Sequence, residues 1–409
     1  MNQIRNYPVA EVTRKAQASL EAGHPWVFDA EVKSLSTEPE NGCLVDVVSD
    51  KGRYLGTGIY SAKSKIRVRI LSRNANDKFD EAFWRRRVGY AWSYRRAVMG
   101  SDLSCCRVIF GEADHFPGLV VDLFSDLLCA QVLSVGMERL KPLLLPIIAE
   151  TLEADGVKLR GIYERDDVHV RELEGLPLAK GWFEGWPHTG EPTTIINENG
   201  VLYNVDVENG QKTGFFLDQK YNRRAVAALA KGKRVLDCFT HTGSFALNAA
   251  RGGAERVTAV DISESAIELA KSNACLNSLD DKIEFVASDV FDLLPSLERA
   301  GGKPYDFIIL DPPAFTKSRS TIDSATRGYK EINFRAMKLL PRGGFLATCS
   351  CSHFMEDSAF RRMLKSAARV ARITADRGAS AVARPPDTLG RARDRISQIL
   401  YFPSSLNIN

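Results

Sequence analysis

The sequence lacks any apolar run long enough to cross a membrane. A membrane-spanning helix needs about 18 or more apolar residues in succession, whereas the most apolar stretch, residues 140–148, is interrupted by Lys141, Pro142 and Pro146. Residues 1–17 also lack the apolar segment of a secretory signal. These two absences predict a cytoplasmic protein that has no membrane partner.

The sequence also lacks the cysteine spacing of a zinc site or a disulfide framework. Its eight cysteines include neither two CxxC pairs nor a nearby pair of histidines. We therefore expect no metal site and no structural disulfide. Most of these cysteines should be small buried side chains, which leaves one or two for chemistry.

What is present is the composition of an ordinary globular protein. Of the 409 residues, 44% are apolar and 26% are charged. At about 100–200 residues per domain this length suggests two to four domains. We predict a small β domain over residues 1–74, a central α+β domain over residues 75–185 and a larger domain over residues 190–409. The Gly-, Pro- and Trp-rich stretch at 181–192 marks the last boundary.

Local hydrophobic patterns predict secondary structure in each domain. Alternation predicts strands at 44–48 and 66–70, and helical spacing predicts a helix from Asp77 to about Met99. The elements expected in the central domain are strands at 118–122 and 127–132 and a helix at 138–154. Strands and helices alternate in the last domain, which predicts a mostly parallel sheet. Its expected strands are 234–237, 256–260, 283–286, 307–310 and 345–348, with helices from Ser244 and Glu264.

Basic residues are concentrated in one segment. The whole chain carries a formal charge of only +4, but residues 63–107 contain twelve Lys and Arg against four acids. The aromatic residues interleaved with these cations are Phe79, Phe83, Trp84, Tyr90, Trp92 and Tyr94. Such a mixture is typical of surfaces that neutralise phosphates and stack bases. A solvated helix face with aromatic residues in the core is the competing interpretation.

A candidate cofactor pocket begins at residues 235–250, which are predicted to form a strand, a short turn and a helix. Gly243 is the only glycine of this turn, whereas a dinucleotide needs G-x-G-x-x-G to approach the backbone closely. A cofactor without phosphates is therefore favoured over NAD or FAD. Asp261 ends the next strand and can accept hydrogen bonds from two ribose hydroxyls. Asp289 follows the third strand, where it can accept from an adenine amino group while Val290 packs on the ring.

This series of groups resembles the S-adenosylmethionine (SAM) site of class I methyltransferases. A single acid at a strand end is more often a helix cap, but the series at βαβ spacing favours the cofactor interpretation. The next strand ends in Asp311-Pro-Pro-Ala-Phe315. Because proline has no amide hydrogen to donate, the Asp311 carboxylate and nearby carbonyls can face a substrate.

Two cysteines follow the predicted strand at 345–348. Carbon 5 of cytosine is a weak nucleophile until a thiolate adds to carbon 6, so a cysteine near a D-P-P turn in a SAM fold has a specific chemical meaning. Cys349 and Cys351 share one face if the strand continues, and periodicity leaves the choice between them open. A buried strand cysteine is the competing interpretation.

Motifs along nearly the whole chain resemble the RlmI-type family of SAM-dependent cytosine-5 methyltransferases of large-subunit ribosomal RNA. The motifs are His24–Phe28, Gly111–Leu119, Tyr163–Asp167, Lys212–Gln219, Asp311–Phe315 and Arg327–Asn333. The resemblance implies an α/β fold in which a Rossmann-like class I methyltransferase domain, with a mostly parallel seven-stranded sheet, follows a β-barrel PUA domain and a central α+β domain. It also implies SAM as the cofactor and large-subunit ribosomal RNA as the partner, and a homodimer is an open expectation.

The resemblance implies roles for individual residues. In the wider family, six residues lie between a Gly-Gly pair and the nucleophile, and a serine follows the nucleophile. Counted from Gly343-Gly344, this spacing indicates Cys351. Cys349 is then expected to be a packing residue. Asp311 is expected to hold the edge of the base. The expected SAM contacts, with Ile262 and Val290 added as neighbours of two acids, are Phe216, Asp218, Gln219, Asp237, Phe239, Gly243, Asp261, Ile262, Asp289, Val290 and Asp311.

Two departures from the wider family affect this interpretation. Many RNA cytosine-5 enzymes carry a second cysteine where this chain has Ala314, so the base that removes the carbon 5 proton is unassigned. Tyr329 and Lys330 are candidates, although a helix face packed on the sheet is the favoured explanation of both. The tail from Ala379 matches the family less well. A guanine or adenine N-methyltransferase acting on RNA and an inactive RNA-binding ribosome assembly factor stay open as alternatives.

Overall fold

The computed structural model describes residues 6–316, 318–352, 355–371 and 398–403. The chain divides into two compact units. The first consists of Met1–Asn197 and Val205–Leu217, and the second of Glu198–Asn204 and Asp218–Asn409. Among the described residues, no helix has the length and apolarity needed to cross a membrane.

A six-stranded sheet lies at the start of the first unit, in the order β2-β6-β5-β4-β1-β3. Its elements are β1 (Val9–Val12), α1 (Arg14–Glu21), β2 (Trp26–Phe28), β3 (Val32–Leu35), β4 (Leu44–Val48), β5 (Tyr54–Tyr60) and β6 (Ile66–Ser72). The strands predicted at 44–48 and 66–70 are confirmed. Gly58 allows β5 and β6 to pair closely, because a Cβ atom there would lie 2.4 Å from the carbonyl oxygen of Arg69.

Helix α2 (Glu81–Met99) follows this sheet. It begins four residues later than the periodicity predicts, because Asp80 caps it by accepting a hydrogen bond from the Phe83 amide at 3.0 Å. Asp77 lies in the preceding turn, where it accepts hydrogen bonds from Ser72 and Asn74. A local capping group therefore sets the start of the helix, while the apolar spacing continues upstream of it.

A five-stranded sheet forms the rest of the first unit, in the order β11-β10-β9-β8-β7. Its elements are β7 (Cys105–Phe110), β8 (Leu119–Phe124), β9 (Leu127–Val132), α3 (Val135–Ala154), β10 (Gly161–Asp166) and β11 (Ala179–Trp182). Side chains of α2, α3 and this sheet share one core that includes Trp84, Val121 and Ile147. Helix α3 starts three residues before the predicted Glu138, because the Ser134 hydroxyl caps it.

The second unit is built on a parallel sheet. Strands β12 (Thr193–Glu198) and β13 (Val201–Asp206) precede it where the chain passes between the units. The elements that follow are α4 (Lys220–Leu229), β14 (Arg234–Cys238), α5 (Ser244–Arg251), β15 (Arg256–Asp261), α6 (Glu264–Leu276), β16 (Ile283–Ala287), α7 (Val290–Ala300), β17 (Phe307–Leu310), α8 (Ile322–Leu339), β18 (Phe345–Ser350), α9 (Asp357–Val370) and β19 (Gln398–Pro403).

The strand order of this sheet is β16-β15-β14-β17-β18-β19, and all its neighbours pair in parallel. The alternation of strands and helices predicted for this domain is confirmed. Of the seven strands expected, the described residues contain six, and most of the divergent tail from Ala379 lies outside them. The order reverses between β14 and β17, and ligands of such sheets bind at the carboxyl ends of the strands next to this reversal.

Candidate active site

The turn after β14 is held by Asp237, the last residue but one of that strand. One carboxylate oxygen of Asp237 accepts hydrogen bonds from the Thr240 hydroxyl at 2.6 Å and from the Ala246 amide at 2.9 Å. The other oxygen is buried and has no hydrogen-bond partner among the described residues. Burial, together with the charges of Asp311 and Asp261, raises the pKa of Asp237 to about 7. Asp237 thus fixes the turn after β14 through its hydrogen bonds to Thr240 and Ala246.

The same turn has an unusual backbone. Phe239 and His241 adopt positive φ angles of 64° and 50°, which are uncommon for residues with a side chain and concentrate at functional sites. Gly243 follows with a φ of 78°, and a Cβ atom there would lie 3.0 Å from Ala270. Glycine is therefore favoured where helix α5 begins. The amide of Thr240 donates to the Val260 carbonyl at 2.9 Å, which ties the turn to β15.

Asp261 lies at the end of β15, beside this turn. Its two carboxylate oxygens accept one amide each, from His241 at 2.9 Å and from Ser263 at 3.0 Å. Each oxygen keeps further acceptor capacity, so the carboxylate can also accept from two vicinal hydroxyls. The next residue, Ile262, is 70% exposed, which leaves an apolar surface next to the acid.

The acid that follows β16 combines a capping role with a position near the site. Asp289 caps helix α7 by accepting from the Phe291 amide at 2.8 Å, and it is half-buried. Val290 is buried in the core of the second unit. The exposed neighbour is instead Phe291, whose ring lies 5.8 Å from that of Phe315. Sequence reasoning missed Phe291, although an aromatic residue two positions after the acid was a usable signal.

The D-P-P turn lies at the end of β17, where Asp311 is half-buried. The side-chain amide of Gln219 donates to an Asp311 carboxylate oxygen at 3.5 Å. The Asp311 amide is linked to the Cys238 carbonyl at 3.4 Å, which fixes the turn against β14. Gln219 comes from the short 3₁₀ helix Leu217–Gln219, along which the chain passes from the first unit to the second, and the exposed Asp218 precedes it.

The two cysteines have different surroundings. Strand β18 ends at Ser350, so Cys349 lies within it and Cys351 lies just beyond its end. Cys349 is buried, and burial together with the charge of Asp311 raises the pKa of its thiol well above the usual value. Cys351 is half-buried, and its Sγ lies 3.5 Å from the carbonyl oxygen of Pro312. The end of β18 thus separates two thiols that periodicity had left on one face.

A buried tyrosine lies behind Cys351. The hydroxyl of Tyr329 on α8 is 2.8 Å from the Ser352 hydroxyl and accepts a hydrogen bond from Ser350 at 3.2 Å. Burial raises the pKa of Tyr329, and the neighbouring Cys351 acts in the same direction. Lys330, the other candidate on this helix, is half-buried. No local sequence signal indicated that Tyr329 would meet residues more than twenty positions away.

The second unit therefore brings together most of the residues expected at the site. Grouped at the carboxyl ends of its strands are Asp237, Phe239, Gly243, Asp261, Ile262, Asp289, Asp311 and Cys351. Phe216 belongs to the first compact unit, where its ring lies 4.6 Å from the Lys212 ammonium. These acids suit a cationic nucleoside, because Asp261 keeps acceptor capacity for hydroxyls and a positive ligand would favour the ionised form of the buried Asp237.

The first unit carries the basic segment, and its ion pairs reduce the apparent excess of positive charge. Each of six arginines pairs with an acid outside residues 63–107: Arg67, Arg69, Arg85, Arg95, Arg96 and Arg107. The cations of the segment that form no ion pair within the described part of the chain are Lys63, Lys65, Arg73, Lys78, Arg86 and Arg87. A binding surface for phosphates therefore depends on these six.

Two family profiles match the chain. One described as S-adenosylmethionine-dependent methyltransferase covers residues 177–373, and one described as PUA-like domain covers residues 10–73. Curated proteins called ribosomal RNA large subunit methyltransferase I are similar over most of their length. That of Shewanella denitrificans is 41% identical over 355 residues, which are 86% of this chain and 87% of that protein. That of Escherichia coli O127:H6 is 39% identical over 357 residues, with the same coverage.

Solved structures show the same fold at lower sequence identity. A putative SAM-dependent methyltransferase from Streptococcus mutans has a TM-score of 0.72 and 23% identity, and the alignment covers 88% of this chain and 90% of that one. A putative methyltransferase designated SMU.776, solved in complex with S-adenosylhomocysteine (SAH), has a TM-score of 0.74, also at 23% identity and with the same coverage.

Proposed function

Since this chain belongs to the family of SAM-dependent methyltransferases called ribosomal RNA large subunit methyltransferase I, we propose that it methylates carbon 5 of a cytosine in large-subunit ribosomal RNA. The domain that carries out the chemistry is residues 190–409. Residues 1–74 and 75–185 hold the RNA, so that one cytosine can be flipped out of its helix or loop into the catalytic pocket.

One observation carries the choice of carbon 5: a half-buried thiol next to the D-P-P turn. Cys351 lies immediately past β18, with its sulfur 3.5 Å from the Pro312 carbonyl. Methylation of a ring or exocyclic nitrogen has no use for a thiol at this place, because the nitrogen lone pair is itself the nucleophile. Carbon 5 needs the thiol. Cys349 is a poor alternative, since burial keeps its thiol protonated.

The reaction follows from these groups. The Cys351 thiolate adds to carbon 6 of the cytosine, which forms a sulfur–carbon bond and places an electron pair on carbon 5. SAM, when bound, would supply the electrophilic methyl group, with its carbon–sulfur bond broken and SAH as the leaving group. Carbon 5 takes that methyl group, a base then removes the carbon 5 proton, and the electron pair of the broken C–H bond restores the ring double bond and expels the thiolate.

Other residues of the site position the reactants. The Asp311 carboxylate holds the cytosine edge near ring nitrogen 3 and the amino group, and Gln219 orients Asp311. Asp261 and Ile262 hold the ribose and adenine of the cofactor, and Asp289 accepts from the adenine amino group. Asp237, Phe239 and Gly243 shape the turn around the cofactor, with Asp218 contributed by the segment before α4. A protonated Tyr329, whose raised pKa keeps its proton at neutral pH, donates a hydrogen bond and does not act as the base.

The test is to map the modified base. Large-subunit ribosomal RNA transcribed in vitro is incubated with enzyme and SAM, digested, and analysed by mass spectrometry. We expect 5-methylcytidine from the wild type and from Cys349→Ala, which serves as the matched control, and none from Cys351→Ala, which should still bind SAH. Methylated guanine or adenine would establish the N-methyltransferase alternative. SAH binding without any methyl transfer would establish the inactive assembly factor.

A further inference from the structure

The first unit contains a pocket of about 500 Å³ that the catalytic proposal does not use. It lies between α2 and the turn at His115, and its volume is within the range of about 300–1,000 Å³ typical of small-ligand sites. The residues that matter to the argument are Asp77, Arg86, Arg87, Tyr90, Asp114 and His115. All of them belong to the same compact unit.

The acids of this pocket already have donors. Asp114 accepts two hydrogen bonds from the Arg95 guanidinium, at 2.5 and 2.6 Å, and a third from the Phe110 amide at 2.7 Å. Asp77 accepts from the Ser72 hydroxyl at 2.5 Å and from the Asn74 side chain at 3.1 Å. The cation that Asp114 pairs with is Arg95, which does not line the pocket, whereas the charge of Asp77 acts on Arg87. Arg95 offsets the charge of Asp114, and two arginines stand against Asp77, so the pocket offers a ligand an excess of one positive charge.

Arg87 is a half-buried cation that forms no ion pair in the described part of the chain, although the charge of Asp77 acts on it. Its guanidinium donates to two backbone carbonyls, that of Leu71 at 2.6 Å and that of His115 at 3.0 Å. Burial lowers its pKa to about 10, so it is still charged at neutral pH. The two carbonyls fix the orientation of the guanidinium and carry no net charge. An anion in the pocket would add a direct ion pair to this guanidinium.

Arg86 and Tyr90 extend the pocket toward solvent. Arg86 is exposed and forms no ion pair within the described residues. Tyr90 lies four residues later, on the same side of α2, and 71% of it is exposed. Proteins that bind single-stranded nucleic acids combine exposed aromatic rings with cationic side chains. The phosphates contact the cations and the bases stack on the rings.

We propose that this pocket binds one nucleotide of the RNA substrate, with its phosphate on Arg86 and Arg87 and its base against Tyr90. The inference rests on the proposed function, since it assumes an RNA substrate. The contact assigned to the base is stacking on Tyr90, and stacking tolerates every base because each base has a π face. We therefore expect binding that tolerates any base and helps to position the RNA, while the target cytosine is selected elsewhere.

The test compares pocket variants with matched controls on the same helix. Arg86→Ala and Tyr90→Ala remove the pocket's exposed groups. Arg85→Ala removes an equal charge that is already paired with Glu81 at 2.7 Å and with Glu150 at 2.8 Å. Tyr94→Ala removes a ring that is 61% exposed but does not line the pocket. Binding of the full-length proteins to large-subunit ribosomal RNA transcripts is measured by filter retention over a series of KCl concentrations, and SAH binding checks folding.

We expect Arg86→Ala and Tyr90→Ala to weaken RNA binding by about fivefold or more, and Arg86→Ala to lower the salt slope by about one. Tyr90→Phe should bind as the wild type does, because it keeps the ring. Both controls should stay within about twofold. If the pocket variants bind RNA as tightly as their controls do, the proposal of a nucleotide site in this pocket is wrong. The proposed function would still stand in that case, provided that the wild type methylates RNA. A wild-type protein that binds no RNA would overturn both.

Discussion

Replacing Asp237 by Asn should stabilise the protein, and the gain should grow with pH. The Asp237 side chain is fully buried, and one of its oxygens has no partner among the described residues. Asparagine has nearly the shape of a neutral carboxyl group, and its single carbonyl oxygen can accept from both Thr240 and Ala246, as one oxygen of Asp237 does. The substitution therefore removes the ionisation and keeps the turn.

The sign and size follow from the pKa values. Burial raises the pKa of Asp237 from 3.8 to about 7. Below pH 3.8 the folded and unfolded chains both hold the proton, and the stability is fully present. It is lost as the pH rises through about 7, because the unfolded chain has already ionised while the folded chain must ionise a buried group. The full loss is about 4 kcal/mol, of which about 2–3 kcal/mol falls between pH 5 and 8.5.

The assay is denaturant unfolding of wild type and Asp237→Asn at several pH values from 5 to 8.5, without cofactor. The free energy of unfolding of the variant relative to wild type should rise across this range. Asp306→Asn is the control, and it should destabilise the protein. Hydrogen bonding to Arg234 lowers the pKa of Asp306, so its stabilisation is fully present above the ordinary pKa, and the loss in the variant should stay constant from pH 5 to 8.5. A difference between Asp237→Asn and wild type that stays constant or falls with pH would refute the reasoning.

Three further substitutions test other parts of the site. Gly243→Ala should destabilise the protein by about 1–2 kcal/mol, since φ is 78° and Ala270 lies close by; equal melting temperatures would contradict this. Asp261→Ala should weaken SAH binding about tenfold or more in calorimetry, because two turn amides and two hydroxyls lose their acceptor; unchanged affinity would remove Asp261 from the cofactor site. Tyr329→Phe should slow methyl transfer while SAH binding is unchanged, since it removes the hydroxyl shared with Ser352; a wild-type rate would leave Tyr329 as packing only.

The features that sequence patterns predicted well are local or periodic. Residues 44–48 alternate and form a strand with those bounds, and the strands and helices from Arg234 onward follow their hydrophobic runs. The acids at 237, 261 and 311 could be placed because parallel strands bring their carboxyl ends to one edge. Helix starts were predicted less well, since Asp80 and Ser134 cap α2 and α3 at positions that the apolar spacing does not reveal.

What sequence patterns could not predict depends on distant partners. The charge excess of residues 63–107 looked uniform, yet Arg95 and Arg107 are neutralised by Asp114 and Asp122 on other elements. That pairing is a tertiary contact, so the count of cations overstated the basic surface. The different exposure of Cys349 and Cys351 likewise depends on where β18 ends, which strand alternation alone does not specify.

The most direct test of the central claim is to trap the covalent adduct between Cys351 and cytosine. Large-subunit ribosomal RNA is transcribed with 5-fluorocytidine, whose carbon 5 has no proton to lose, so that the thiolate cannot be expelled after methyl transfer. With SAM present, we predict an RNA–protein complex that survives denaturation, and a peptide containing Cys351 that carries the mass of a methylated fluorocytidine nucleotide. Absence of the complex, or its attachment to another residue, would contradict the account.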